Sequence, residues 1–267
     1  MYEQTGPNTY DVSLRIYRDC NGISLNSDID IFWKGSCDSG TVSASRISNI
    51  DITPLCPGLP SACQGGSGNI GIEEHIYVAT VTIPPSCTDV TFDYTLCCRN
   101  HIITTLTDPG SEHIYLSTTH FDVTALNNSP VFNNYPAPIV CVNQPVVYNH
   151  GVYDPDGDSL YFSPSNCYEA NNDSVEYLPG FNGSTPLITA NPINIDANTG
   201  SITFTPTAQQ VGVMCILVEE FRDGVKIGES LRDIQFNVIA CANVPPVASG
   251  INNTPGVDSL NFLISVC

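Results

Sequence analysis

In the stretch Val12-Ser13-Leu14-Arg15-Ile16, apolar and polar side chains alternate with a period of two. That repeat sends one set to each face of a β-strand. Outward from it, β-branched and aromatic runs recur between clusters of Gly, Pro, Asn and Asp, and helical spacing is nearly absent. The pattern predicts an all-β sandwich architecture. In the first half, strands are predicted at Tyr10–Tyr17, Asp28–Trp33, Thr41–Ile47, His75–Ile83, Val90–Cys97 and Ile114–Val123. In the second half they are predicted at Ile139–Val142, Val146–Asn149, Ser159–Phe162, Ser201–Thr205, Val213–Phe221 and Ile234–Ile239.

Proline marks the boundaries. Leu126-Asn127-Asn128-Ser129-Pro130, continuing through Pro136 and Pro138, cannot feed a strand ladder because proline has no N–H to donate. The chain therefore divides into a disulfide-rich β-sandwich over residues 1–126 and a second sandwich over residues 127–242. The second unit, with about 110 residues and six or seven short strands, has the size of an immunoglobulin-like sandwich. Two tandem immunoglobulin-like β-sandwiches stapled by disulfides are the expected fold. Residues 243–267 open on Asn243-Val244-Pro245-Pro246-Val247, an echo of Asn128-Ser129-Pro130-Val131. They read as a linker and a partial third domain, or as a donor strand over Val257–Val266 for a neighbouring sheet. A lone strand cannot satisfy its own backbone, so continuation of the natural chain past Cys267 is the expectation.

The 267 residues carry 27 Asp and Glu against 8 Lys and Arg, a net charge of −19, and 42% are hydrophobic. There is enough apolar material for a core. Nucleic acid and anionic membranes both need clustered cations, so nucleic-acid binding is excluded. No apolar run approaches the about 18 residues that cross a bilayer, and membrane insertion is not expected. The opening MYEQTGPNTY lacks the basic and apolar regions of a signal peptide, so the chain reads as mature or trimmed.

The twelve cysteines are even in number and form no C-x-x-C pair. Disulfides are the better reading than zinc, and they require an oxidising compartment. Pro54–Gly71, with three Pro, five Gly and two Cys, reads as a surface loop stapled across its base by Cys56 and Cys63. Cys97 and Cys98 are adjacent, and neighbouring strand residues point to opposite faces, so each is expected to bond a separate partner among Cys20, Cys37 and Cys87. In the second half, Cys141 with Cys167 and Cys215 with Cys241 are the expected pairs.

The motif that could carry chemistry is Asp154-Pro155-Asp156-Gly157-Asp158. Three carboxylates at alternate positions, with glycine for a tight turn, can converge on a hard cation that takes six to eight oxygens. It is not an EF-hand, because Ser159 and Ser165 stand where that loop needs Gly and Glu. The plainer reading is an acidic, solvated turn.

From this motif a resemblance extends over residues 128–242. Asn128-Ser129-Pro130, then the acidic motif, then Ile195-Asp196-Ala197-Asn198-Thr199-Gly200-Ser201-Ile202, then Asp223-Gly224, resemble in order the elements of a cadherin-like, bacterial immunoglobulin-like repeat. The resemblance implies calcium at a domain boundary. Asp154 and Asp156 would be the best-matched ligands, Asn127 or Asn128 could add a linker oxygen, and Asp158, Glu219 and Asp223 would be further candidates. The first half, through Tyr17-Arg18-Asp19-Cys20-Asn21-Gly22 and Cys97-Cys98-Arg99-Asn100, resembles extracellular modules of large Bacteroidota surface proteins associated with gliding motility, adhesion and type IX secretion. That likeness implies an exported adhesin or surface-filament subunit. It also implies O-glycosylation at Asp-Ser-aliphatic triplets, here Ser174 and Ser259.

Enzyme signatures are missing. Gly65-Gly66-Ser67-Gly68-Asn69 fails the G-x-S-x-G elbow at its last position, and the five histidines form no H-E-x-x-H. The expectation is therefore a non-catalytic extracellular adhesive module at the cell surface. Its partners would be other copies or further domains of the same surface protein, with glycans or surfaces as possible ligands. A carbohydrate-binding accessory module of a secreted hydrolase is the alternative, and it would need an exposed aromatic row.

Overall fold

The structure is a computed structural model and describes residues 1–54, 58–66 and 71–241. Cys56, Ser67, Ser259, the segment Val257–Val266 and the expected third domain lie outside the described residues. Strands joined by turns and irregular loops make up the described chain, with one short 3-10 turn at Ala62–Gln64 and no α-helix among the described residues.

The first half contributes β1 (Tyr2–Gly6), β2 (Thr9–Asp19), β3 (Asp28–Gly35), β4 (Ser39–Asp51), β5 (Ile72–Thr82), β6 (Val90–Cys97) and β7 (His113–His120). The second contributes β8 (Val131–Phe132), β9 (Ile139–Cys141), β10 (Val146–Tyr148), β11 (Val152–Tyr153), β12 (Ser159–Ser165), β13 (Tyr168–Ala170), β14 (Asp173–Ser174), β15 (Asn194–Ile195), β16 (Ile202–Phe204), β17 (Gln210–Arg222) and β18 (Val225–Ile239). All twelve strands expected from the sequence are present, most with ends shifted by a few residues, whereas β18 begins at Val225, nine residues before the expected Ile234.

One sheet runs through both halves, in the order β1-β2-β5-β4-β3-β6-β7-β18-β17-β12, with β9 added in parallel to β18. The crossing from one half to the other is short: Thr118, Thr119 and His120 of β7 pair with Ser230, Glu229 and Gly228 of β18. The side chains reinforce this seam, where the Thr118 and Ser230 hydroxyls lie 2.8 Å apart.

Each half buries its own cluster. Tyr2, Tyr10, Ile31, Tyr77 and Phe92 form one core, and Phe162, Ile202, Ile216, Ile234 and Phe236 another. A third cluster mixes the halves, setting Ile103 and Leu106 against Val175, Val213 and the Cys167–Cys215 bridge. This explains why Val213–Val218 is apolar nearly throughout rather than alternating. Met214, Ile216 and Val218 face one core while Val213 and Cys215 face another, and a strand covered on both sides loses its polar face.

Five disulfides join described residues: Cys20–Cys63, Cys37–Cys87, Cys97–Cys98, Cys141–Cys241 and Cys167–Cys215. Several expected pairings are overturned. Cys63 reaches Cys20 rather than Cys56, because Cys20 N donates to Gly71 O at 3.0 Å and holds the end of β2 against the returning loop. Cys97 and Cys98 bond each other across a cis peptide. The pleat that would send them apart ends with β6 at Cys97, and Arg99 beyond it turns into the second half to meet Asp233 at 2.7 Å. Cys141 pairs with Cys241 because β9 lies beside the end of β18, with Ile139 opposite Asn237. That leaves Cys167 for Cys215. The bridges imply an oxidising, non-cytoplasmic setting. Among the described residues no helix is long and apolar enough to cross a membrane.

Candidate functional site

The acidic motif lies between β11 and β12, where it meets the segment joining the two halves. Gly157 adopts φ +84°, which an L side chain resists. Asp154 Oδ1 accepts the backbone N–H groups of Asp156 and Asp158 at 2.9 and 3.0 Å. The loop is thus built around the first carboxylate.

The joining segment is strapped at nearly every residue. Tyr2 N donates to Ser129 Oγ at 2.8 Å and Ser129 N to Tyr2 O at 3.0 Å. Gln4 N donates to Asn128 Oδ1 at 2.9 Å, and Asn127 N to Gln4 Oε1 at 3.0 Å. From the other side, Asn128 N and Nδ2 donate to Asp156 at 2.7 and 3.0 Å. Asn127 Nδ2 donates both to the Tyr2 hydroxyl and to Glu220 Oε1, at 2.9 and 3.1 Å.

Glu220 is the residue that sequence reasoning missed. It is fully buried in β17, opposite Gly228 of β18. A Cβ at Gly228 would collide with Glu220 Oε2, so the glycine makes room for the carboxylate. The signal was available as parity. Met214, Ile216 and Val218 face the core, and Glu220 continues that series, whereas Glu219, the residue singled out from the sequence, faces outward to Lys226 at 2.5 Å.

Asp154, Asp158 and Glu220 each offer a carboxylate oxygen within 4.8 Å of the others. Glu220 Oε2 and Asp154 Oδ2 are buried and have no hydrogen-bond partner. Burial, with Asp154 and Asp158 adding negative charge, pushes the Glu220 carboxyl up to about 9. In the metal-free chain it is therefore protonated at neutral pH. Arg222 supplies the local positive charge. Its Nε and NH2 donate to the two oxygens of Asp158 at 2.8 and 2.5 Å, its NH1 to Leu126 O at 2.8 Å and its NH2 to Asn127 Oδ1 at 2.9 Å.

No family model, curated protein or solved structure matches this chain.

The site brings together Asp154, Asp158 and Asn127 from the expected set and adds Glu220 and Arg222. Asp156 and Asn128 hold each other at the rim, and Asp223 sits at φ +52° in the β17–β18 turn. The triad offers a hard cation three carboxylates, two with idle buried oxygens and the third, Asp158, bonded through both oxygens to Arg222, against the six to eight oxygens such an ion takes. Ser174 is exposed at the β13–β14 pairing. The exposed aromatic residues are scattered along the chain: Phe32 in β3, Phe121 just after β7, Tyr135 between β8 and β9, Tyr153 in β11 and Tyr161 in β12.

Proposed function

We propose that this chain is a structural and adhesive module of a bacterial cell surface. In this reading two immunoglobulin-like halves are held as one stiff spacer, and a calcium ion at Asp154, Asp158 and Glu220 completes the joint. The observation that carries the reading is the strapped joining segment. Residues 126–129 bond to β1, to the acidic loop and to β17 at once, so the halves have little freedom to turn about one another. The shared β7–β18 seam and the mixed apolar cluster support the same rigidity. The outward surface is left for other copies, for further domains of the same protein or for glycans.

Calcium would bring positive charge where the metal-free chain keeps the Glu220 carboxyl neutral. Its affinity belongs to the weak extracellular class, with a dissociation constant of about 0.1–1 mM. Calorimetric titration should show this binding, and chelation should broaden the small-angle scattering profile. Glu220→Gln mimics the neutral carboxyl, keeps the fold and should weaken calcium binding about tenfold or more. A titration without heat, together with identical scattering before and after chelation, would remove calcium from the joint.

A further inference from the structure

The edge of β2 is only half covered. β1 pairs with its first part, ending with Tyr2 opposite Val12, and Met1 and Ser13 exchange two bonds of 3.0 and 2.9 Å. β2 then runs on to Asp19, and among the described residues no strand pairs with it on that side. The alternation that directs Asp11 and Ser13 toward β1 directs the backbone groups of Arg15 and Tyr17 the same way. The even-numbered residues are turned toward β5, with Leu14 opposite Tyr77 and Ile16 opposite His75.

Beside this edge is a cleft of about 1200 Å³ lined by Leu14, Ile16, Leu96, Leu116, Ile139 and Leu231 among others. It exceeds the roughly 300–1000 Å³ usual for small-molecule sites. Apolar walls next to unpaired strand backbone are what an added strand buries. Left bare, the same combination promotes aggregation.

The cleft reaches Asn237 and Ile239 at the end of β18, two residues before Cys241, the last described residue. The sequence beyond carries one strand-like repeat: Leu260, Phe262, Ile264 and Val266 alternate with Asn261, Leu263 and Ser265. Residues 242–256 would span up to about 50 Å when extended. A tether of that length gives an attached segment a high local concentration.

We propose that the cleft is the docking site for this chain's own segment Val257–Val266. The segment adds to β2 at Arg15 and Tyr17 and turns Leu260, Phe262, Ile264 and Val266 onto the apolar walls.

Amide hydrogen exchange by NMR on the full chain tests this. Arg15 and Tyr17 should exchange about 100-fold or more slowly than in an unstructured chain. The double variant Phe262→Asp/Ile264→Asp should return both to fast exchange. Leu14 and Ile16, turned toward β5, should stay slow and so report that the fold is intact. Adding a synthetic peptide of residues 257–266 to the variant should restore protection. Fast exchange at Arg15 and Tyr17 in the unsubstituted chain, or protection that survives the double substitution, would overturn the proposal. A tail-dependent dimer seen by light scattering would overturn it as well, by assigning the cleft to a second copy.

Discussion

His150 shows how much a single side chain weighs here. It is fully buried, its ring stacks on Phe162 at 6.0 Å and meets Tyr148 edge-on at 5.3 Å, and neither ring nitrogen has a hydrogen-bond partner. Burial, aided by the nearby Arg232 guanidinium, pushes its pKa down to about 3. The unfolded chain therefore binds the proton more readily between about pH 6.5 and 3, and stability falls as pH drops through that window. The loss attributable to His150 should be about 2 kcal/mol at pH 5 relative to pH 7.5. Urea denaturation of the unsubstituted chain and of His150→Phe, which keeps the stacking, should show it as the difference between their pH responses, because the buried Glu220 carboxyl contributes a slope of opposite sign in both. His120, also buried and pushed down to about 4, leaves a residual slope. The sequence discloses five histidines but not which are dry, because burial depends on strands that are distant in the chain.

Elements were legible where an apolar run or a repeat marked them. Of the thirteen residues of β17 the reading took Val213–Phe221, and of the fifteen of β18 only Ile234–Ile239; Asp223-Gly224, with both residues at positive φ, is the two-residue turn such a hairpin requires. Strands such as β8, β11 and β14, two residues each, contain no repeat to detect. β1 went unread although Tyr2 is a core residue, since polar neighbours hide it. The acidic loop was legible as a motif, but its partner Glu220 required knowing which parity of β17 faces inward. The hairpin also yields a prediction. Gly228→Ala places a methyl against the Glu220 carboxyl and should cost about 1–3 kcal/mol by chemical denaturation. Combining it with Glu220→Ala, which vacates the space, should recover part of that loss. Equal or additive losses would refute the steric coupling.

Across the whole molecule, the oxidised, all-β character was readable from composition, while disulfide connectivity was not. Cys141 and Cys241 are 100 residues apart, and only the docking of β9 onto β18 brings them together. In a chain-entropy account so long a loop gives a large effect, about 4.7 kcal/mol. The pair Cys141→Ala/Cys241→Ala should lose that much in denaturant titrations and should deprotect the β9 amides, whereas loss of protection throughout both halves at low denaturant would show that the bridge does more than close a loop. The same bridge has a consequence for a chain pulled from outside. Tension entering before Cys141 and leaving beyond Cys241 passes through one covalent link, so the strands between them stay unloaded and cannot be drawn out. Under tension, the stretch from Cys141 to Cys241 would behave as an inextensible knot, and any yielding would have to occur before Cys141 or in the residues that follow.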